Sequence, residues 1–331
     1  MGLGPYVGCD FDIAKDDCTL ETCCLAQSYF LYRPDYSGNL FYVIFFLAFI
    51  FPQVGLGIKF KTWGYMIGMF LGLVLEAIGY CARIGLHQNP FSQGAFMLYL
   101  VGLTIAPVFI TAGIYLCLSR LIILYGEDLS ILPPRTLAVS FMTSDFLTLV
   151  MQGVGGVWAQ TAHEKGENAR PGLNLMIAGL LLQAISLAFF MIVGALFMLR
   201  VKRGMPDQSP SKVFTRRRLL FKAFLAGLLL STLLILIRSI YRVAELWGGF
   251  KGKLWNDEVD FMVLDGCMMG ISVVLLTVLH PGPAFGAQWD ASNWSLRGNI
   301  DPKIELSSNP DMPLGPERQM RTLWNHDKSR L

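Results

Sequence analysis

The chain has 331 residues, 53% of them hydrophobic and only 15% charged, with a mean hydropathy of +0.49. That is too apolar for an ordinary soluble domain. A formal net charge of +3, with the basic residues beside apolar runs instead of in a groove-lining stripe, gives no footprint for a nucleic-acid partner.

Residues 1–37 form an acidic segment with Asp10, Asp12, Asp16, Asp17 and Glu21 and no apolar core, so no cleavable signal peptide is expected and the first helix must serve as its own signal. Tyr6 stands where a myristoylation motif needs Ser or Thr. Four of the seven cysteines, Cys9, Cys18, Cys23 and Cys24, crowd this segment. If it is extracytoplasmic they fit a pair of disulfides, the vicinal Cys23 and Cys24 taking different partners; free thiols are the alternative. Without a nearby histidine or a CxxC pair, zinc is not expected.

Seven apolar runs follow, each long enough to cross a hydrocarbon layer: Gly38–Ile58, Thr62–Ala82, Ala95–Ile122, Thr136–Trp158, Gly172–Leu199, Leu219–Tyr241 and Val259–His280. The expected fold is therefore an all-α bundle of seven transmembrane helices spanning residues 38–282. Pro52, Pro107, Gly72, Gly155, Gly156 and Gly179 inside these runs read first as packing features, since small residues let membrane helices approach closely. No internal repeat is visible, and an odd number of spans does not suit a transporter built from two halves. After His280-Pro281-Gly282, residues 283–331 turn polar and read as a disordered cytoplasmic tail, where the Asn293-Trp294-Ser295 sequon would face the wrong compartment for glycosylation.

Orientation follows from Lys and Arg. The fifth loop and its flanks carry Arg200, Lys202, Arg203, Lys212, Arg216, Arg217, Arg218 and Lys222, which marks that loop as cytoplasmic, and Lys59 and Lys61 agree. Seven spans then put the N-terminus outside, where its cysteines could oxidise. The expected location is the plasma membrane, with an endomembrane as the alternative.

A charge inside a span costs about 2.5–3.5 kcal/mol on insertion scales, so the polar residues there are the informative ones. Glu76, Tyr80 and Arg83 follow i, i+4, i+7 spacing on one face of the second helix; Arg238, Tyr241, Arg242 and Glu245 repeat that spacing on the sixth. Glu258 and Asp265 are one heptad apart on the seventh, and Asp145, Thr148 and Gln152 come from the fourth. In this topology Glu76, Arg83, Gln152, Arg238, Arg242, Glu258 and Asp265 fall in the outer half of their helices, and Asp145 lies deeper. Glu76, Tyr80, Arg83, Asp145, Gln152, Arg238, Tyr241, Arg242, Glu245, Glu258 and Asp265 are thus the candidate ligand-binding residues for an amphipathic molecule. The packing alternative pairs Glu76 with Arg238, and Asp265 with Arg83 or Arg242, purely to lock helices together. Arg120, at the inner end of the third helix, reads as a snorkelling residue.

Enzyme signatures are poor. His87, His163, His280 and His326 fall on two sides of the membrane, too few on either side for a three-histidine zinc centre, and there is no phosphate loop or nucleophile elbow. No cofactor is expected. The residue sets that stand out, Glu76-Ala77-Ile78-Gly79-Tyr80-Cys81-Ala82-Arg83, Ala106-Pro107-Val108, Ala112-Gly113-Ile114-Tyr115 with Ser119-Arg120, and Gln152-Gly153-Val154-Gly155-Gly156 with Asp145, resemble motifs of the fungal lipid-translocating exporter, or RTA-like, family. Gly179, Gln183, Arg238 through Glu245, Glu258, Asp265 and His280-Pro281-Gly282 extend the resemblance, while Met262 stands where it implies an aromatic residue. The resemblance implies resistance to toxic amphiphiles or movement of sphingoid bases. Three functions compete on this basis: a protein that handles an amphipathic lipid, with a cationic amine at Glu76 and Asp265 and an oxygen group at Arg238 or Arg242; a seven-helix receptor; and an intramembrane acid–base enzyme of terpene-cyclase type.

Overall fold

A computed structural model describes residues 18, 22–126, 129–130, 132–164, 168–203, 213, 218–249, 252–286 and 288–291. Cys9, His326 and the Asn293 sequon lie outside the described residues, as does the His163 side chain. The described residues contain helices and turns and no strand. Seven helices are long and apolar enough to cross a membrane. They are α1 (Tyr36–Lys59), α2 (Trp63–Gln88), α3 (Gln93–Tyr125), α4 (Pro134–Glu164), α5 (Arg170–Arg203), α6 (Leu219–Trp247) and α7, which runs through three end-to-end pieces, Glu258–Phe261, Met262–Cys267 and Met268–Val278. The chain is an integral, multi-pass membrane protein.

Local chemistry sets the ends. Asp35 caps α1 by accepting from Gly38 N, and Ser92 caps α3 through Ala95 N. Gly126, with φ of 120°, stops α3 in a conformation closed to most side chains. Asp257 accepts from Val259 N and Asp260 N to start α7. The middle piece of α7 is a π-helix, a wider turn that often marks a functional site. At its first residue the Met262 carbonyl accepts from Tyr42 Oη at 2.7 Å.

Consecutive helices are neighbours, and α7 returns to α1 to close the ring, with α3 buried along most of its length. The most extensive seam is α2 on α3. A Cβ on Gly102 would lie 3.2 Å from Gly79 Cα, and one on Gly68 would lie 2.8 Å from the Phe109 carbonyl oxygen. The α4–α5 seam is built alike, for a Cβ on Gly172 would meet Ala159 N at 2.3 Å. Of the glycines read as packing features, Gly72, Gly155 and Gly179 meet neighbouring backbone in this way, at 3.1 Å from Ala106 O, 2.6 Å from Met176 N and 3.0 Å from Thr148 O for an added Cβ, whereas Gly156 has only ordinary side-chain contacts. Outward faces carry Phe41, Ile44 and Phe51 on α1, Phe146 and Val150 on α4, and Ile185 and Phe189 on α5, a surface made for hydrocarbon.

Two segments beyond the spans join the fold. Residues before α1 lie over one end of the bundle: Phe30 is buried and stacks on Trp255, whose indole N–H donates to the Tyr29 carbonyl, and Leu31 N donates to Asn256 Oδ1. Cys18 and Cys23 are disulfide-bonded and pack with Phe91, and Cys24 is also oxidised. At the other end His280 Nδ1 accepts from Gly282 N and starts the short helix α8 (Pro281–Phe285), followed by α9 (Gln288–Ala291). Phe285 is buried against Phe221, Phe224 and Trp289, so the ordered chain continues past Gly282. Arg120, read as snorkelling, instead donates to the Trp289 carbonyl and lies 3.8 Å from that indole's centroid.

Candidate functional site: a buried charge cluster

The same helical spacing that put Glu76, Tyr80 and Arg83 on one face turns that face fully inward, each with 0% exposure. Arg238, Arg242 and Glu245 on α6 and Asp265 in the π-turn of α7 meet it, all buried.

Asp265 is the hub. Its Oδ1 accepts from Arg242 Nε at 2.7 Å and lies 3.0 Å from Arg238 Nε, an ion pair whose N–H direction misses the oxygen. Arg242 Nη1 reaches Glu245 Oε2 at 2.9 Å and Tyr99 Oη at 3.3 Å. Arg238 Nη2 donates to the Leu103 carbonyl at 2.6 Å. That carbonyl faces position 107, where proline has no N–H to complete the helical bond, so Pro107 leaves an acceptor free for the arginine.

Arg83 forms the second centre. Its Nε donates to Asn39 Oδ1 at 3.1 Å and its Nη2 to Tyr32 Oη at 2.9 Å, while Glu258 Oε1 lies 3.5 Å away and also accepts from Asp35 N at 2.7 Å. The Phe261 ring sits 3.9 Å from the Arg83 guanidinium carbon and 5.2 Å from that of Arg242, a cation–π contact to both centres. Burial of Tyr32 pushes its phenol up to about 12, against the opposing pull of Arg83.

Glu76 is the exception. The pairing with Arg238 offered by the packing alternative does not form as a hydrogen bond; Arg238 donates to the Leu103 carbonyl and lies against Asp265. Both Glu76 carboxylate oxygens are buried without a hydrogen-bond partner, as are Tyr80 Oη, Tyr241 Oη and Asp265 Oδ2. Tyr80 Oη abuts Gly266, where a Cβ would lie 2.6 Å from it. Among the described residues the cluster holds three arginines and four acids, Glu76, Glu245, Glu258 and Asp265, and the acid in excess is the one without a partner.

Two candidates stand apart. Asp145 Oδ2 accepts from Tyr115 Oη at 2.8 Å, at 3.4 Å from Thr111 Oγ1. Tyr115 is about 18 Å along α3 from Leu103 at 1.5 Å per residue, so Asp145 is deeper in the bundle and separate from the arginines. Gln152 Nε2 donates to Gln183 Oε1 at 2.8 Å across the α4–α5 seam, beside a small cavity of about 190 Å³. Tyr32, Asn39, Tyr99 and Phe261 belong to the cluster and were missed by a reading built on charge. Among the described residues no group of three or more His, Cys, Asp or Glu is placed to hold a metal.

Known proteins share this framework. Residues 69–288 match the family model described as RTA1 like protein, which takes in every arginine and acid of the cluster. In Saccharomyces cerevisiae, a protein named sphingoid long-chain base transporter RSB1 is 34% identical over 270 residues, covering 73% of this chain and 70% of the relative. Protoporphyrin uptake protein 1 of the same yeast is 31% identical over 228 residues, 68% of this chain and 70% of the relative, and protein RTA1 is 28% identical over 219 residues, 66% of each. No solved structure matches. By the family model and these relatives, the chain belongs to the RTA1-like family of membrane proteins.

Proposed function

We propose that this protein binds an amphipathic lipid bearing a cationic amine, of the sphingoid-base type, and moves it across the membrane, protecting the cell from toxic amphiphiles. The observation that carries the reading is Glu76: a fully buried carboxyl without a hydrogen-bond partner, inside a cluster whose three arginines are already engaged by other acids. A buried charge is stable only when paired, and an ammonium group is the partner that Glu76 and the open Asp265 Oδ2 lack. Tyr80 and Tyr241 hydroxyls beside them offer hydrogen bonds to the hydroxyls next to such an amine. The relative named for sphingoid long-chain bases supports this ligand class. The basic residues at the α5 and α6 ends opposite the cluster support an orientation with the N-terminus outside.

The test compares wild type with Glu76→Gln in cells challenged with a sphingoid base and in proteoliposomes loaded with a fluorescent sphingoid base. The variant is expected to fold normally and to lose both resistance and flux. Undiminished resistance and flux in Glu76→Gln would sink the reading.

A further inference from the structure

A second site lies far from the charge cluster. Between α3, α5 and α6 a groove of about 470 Å³ is walled by Leu118, Gly194, Met198 and Ala226, and only two of its lining residues have polar side chains, Thr232 at one end and Lys202 at the other. Thr232 Oγ1 is satisfied by the Leu228 carbonyl at 2.7 Å, so the walls ask for nothing polar. From Phe190 to Lys202 the α5 wall runs about 18 Å at 1.5 Å per residue, slightly more than half of a hydrocarbon core of about 30 Å. The groove therefore has the length of one leaflet and ends in a cation at the headgroup level. Among the described residues at these two helix ends the charge has one sign: the last turn of α5 carries Arg200, Lys202 and Arg203, α6 opens with Arg218 and Lys222, and neither turn contains an acid. Lys222 also shares a helical face with Ala226 and Leu229 of the groove, by its i, i+4, i+7 spacing.

We propose that this groove is a binding site for an anionic phospholipid, one acyl chain lying along α3, α5 and α6 and the phosphate held by Lys202. Basic pockets between membrane helices take such headgroups, and an uncharged wall of this length takes a chain. The occupant does not touch the transport cluster, since Arg238 lies about 9 Å beyond Thr232 along α6. The proposal therefore stands independently of the function proposed above.

The structure supplies a variant that blocks the chain without disturbing the fold. A Cβ on Gly194 would meet only Leu118 Cδ2, at 3.8 Å, so a leucine side chain there enters the groove and not the helix packing. The experiment is native mass spectrometry of the full chain after exchange into detergent containing equal phosphatidylglycerol and phosphatidylcholine with identical chains. Wild type should retain the anionic lipid at least fivefold over the zwitterionic one. Gly194→Leu should lose bound lipid of both kinds by tenfold or more, and Lys202→Gln should retain lipid but lose about fivefold of its anionic preference, the worth of one basic residue at an anionic surface. If Gly194→Leu does not yield monodisperse protein, Ala226→Leu fills the same groove from the α6 wall and is read in the same way. Equal retention of the two lipids by wild type, or unchanged retention by the groove-filling variant, overturns the proposal. So does a lipid-free dimer that Gly194→Leu converts to monomer, for then a second copy of the chain covers the groove.

Discussion

Arg242 Nε and Asp265 Oδ1 face each other across α6 and α7 at 2.7 Å, both side chains buried, with Arg238 held at the same oxygen. Removing Asp265 leaves two buried cations without their shared acid, a loss of about 3–5 kcal/mol. Asp265→Asn is expected to reduce the yield of monodisperse protein sharply, whereas Glu76→Gln keeps that yield or raises it, because an amide is cheaper to bury than an unpaired carboxylate. Size-exclusion profiles and thermal unfolding of the two purified variants check this contrast.

The segment over the cluster offers a second check. With the Tyr32 phenol pushed from 10.0 to about 12 in the folded protein, the unfolded chain ionises this group first as pH rises. Its contribution to stability is level below pH 10 and declines between about pH 10 and 12. Tyr32→Phe should make the alkaline decline in thermal stability shallower while leaving the stability curve below pH 10 parallel to that of wild type. The measurement is a series of melts from pH 8 to 12.

Cysteine labelling tests the oxidised segment. Cys18 and Cys23 should react with a maleimide only after reduction, whereas Cys117, fully buried among apolar residues, should stay unlabelled with or without reductant until the protein is denatured. Labelling of Cys18 in the untreated native protein contradicts the bonded state.

Orientation is tested by reporters. A glycosylation acceptor placed before Tyr36 should be modified, and one inserted between Lys202 and Lys212 should not. The reverse pattern would turn the molecule over and move the lipid groove to the outer leaflet.

The spans were legible because seven apolar runs of membrane length leave little freedom, and the structure lengthens most of them by a few polar or capping residues, such as Gln93 before the expected start at Ala95. The inward stripe of α2 was legible for the same reason, as periodicity settles which side of a helix carries charge. Partner choice was not. Glu76 and Arg238 looked matched by depth, but pairing depends on which helices adjoin and how far each is rotated, and the π-turn brings Asp265 to both arginines. Pro107 read as a packing residue, yet its missing N–H leaves a carbonyl that Arg238 takes. Residues 28–35 showed no periodicity at all, because their order comes from contacts with residues more than 50 positions away.

Asp35 and Leu31, at the start of the chain, are tied to Glu258 and Asn256 at the threshold of the last helix. During synthesis, then, a chain with six helices inserted carries Arg238 and Arg242 in the bilayer before the acid that serves them both has been translated. Until α7 arrives, such an intermediate displays uncompensated charge and lacks Phe261 beside Arg83, features that membrane quality control can detect. A chain ending anywhere before Asp265 is therefore expected to be cleared soon after insertion, whereas one that ends after α7 already carries every charge of the cluster.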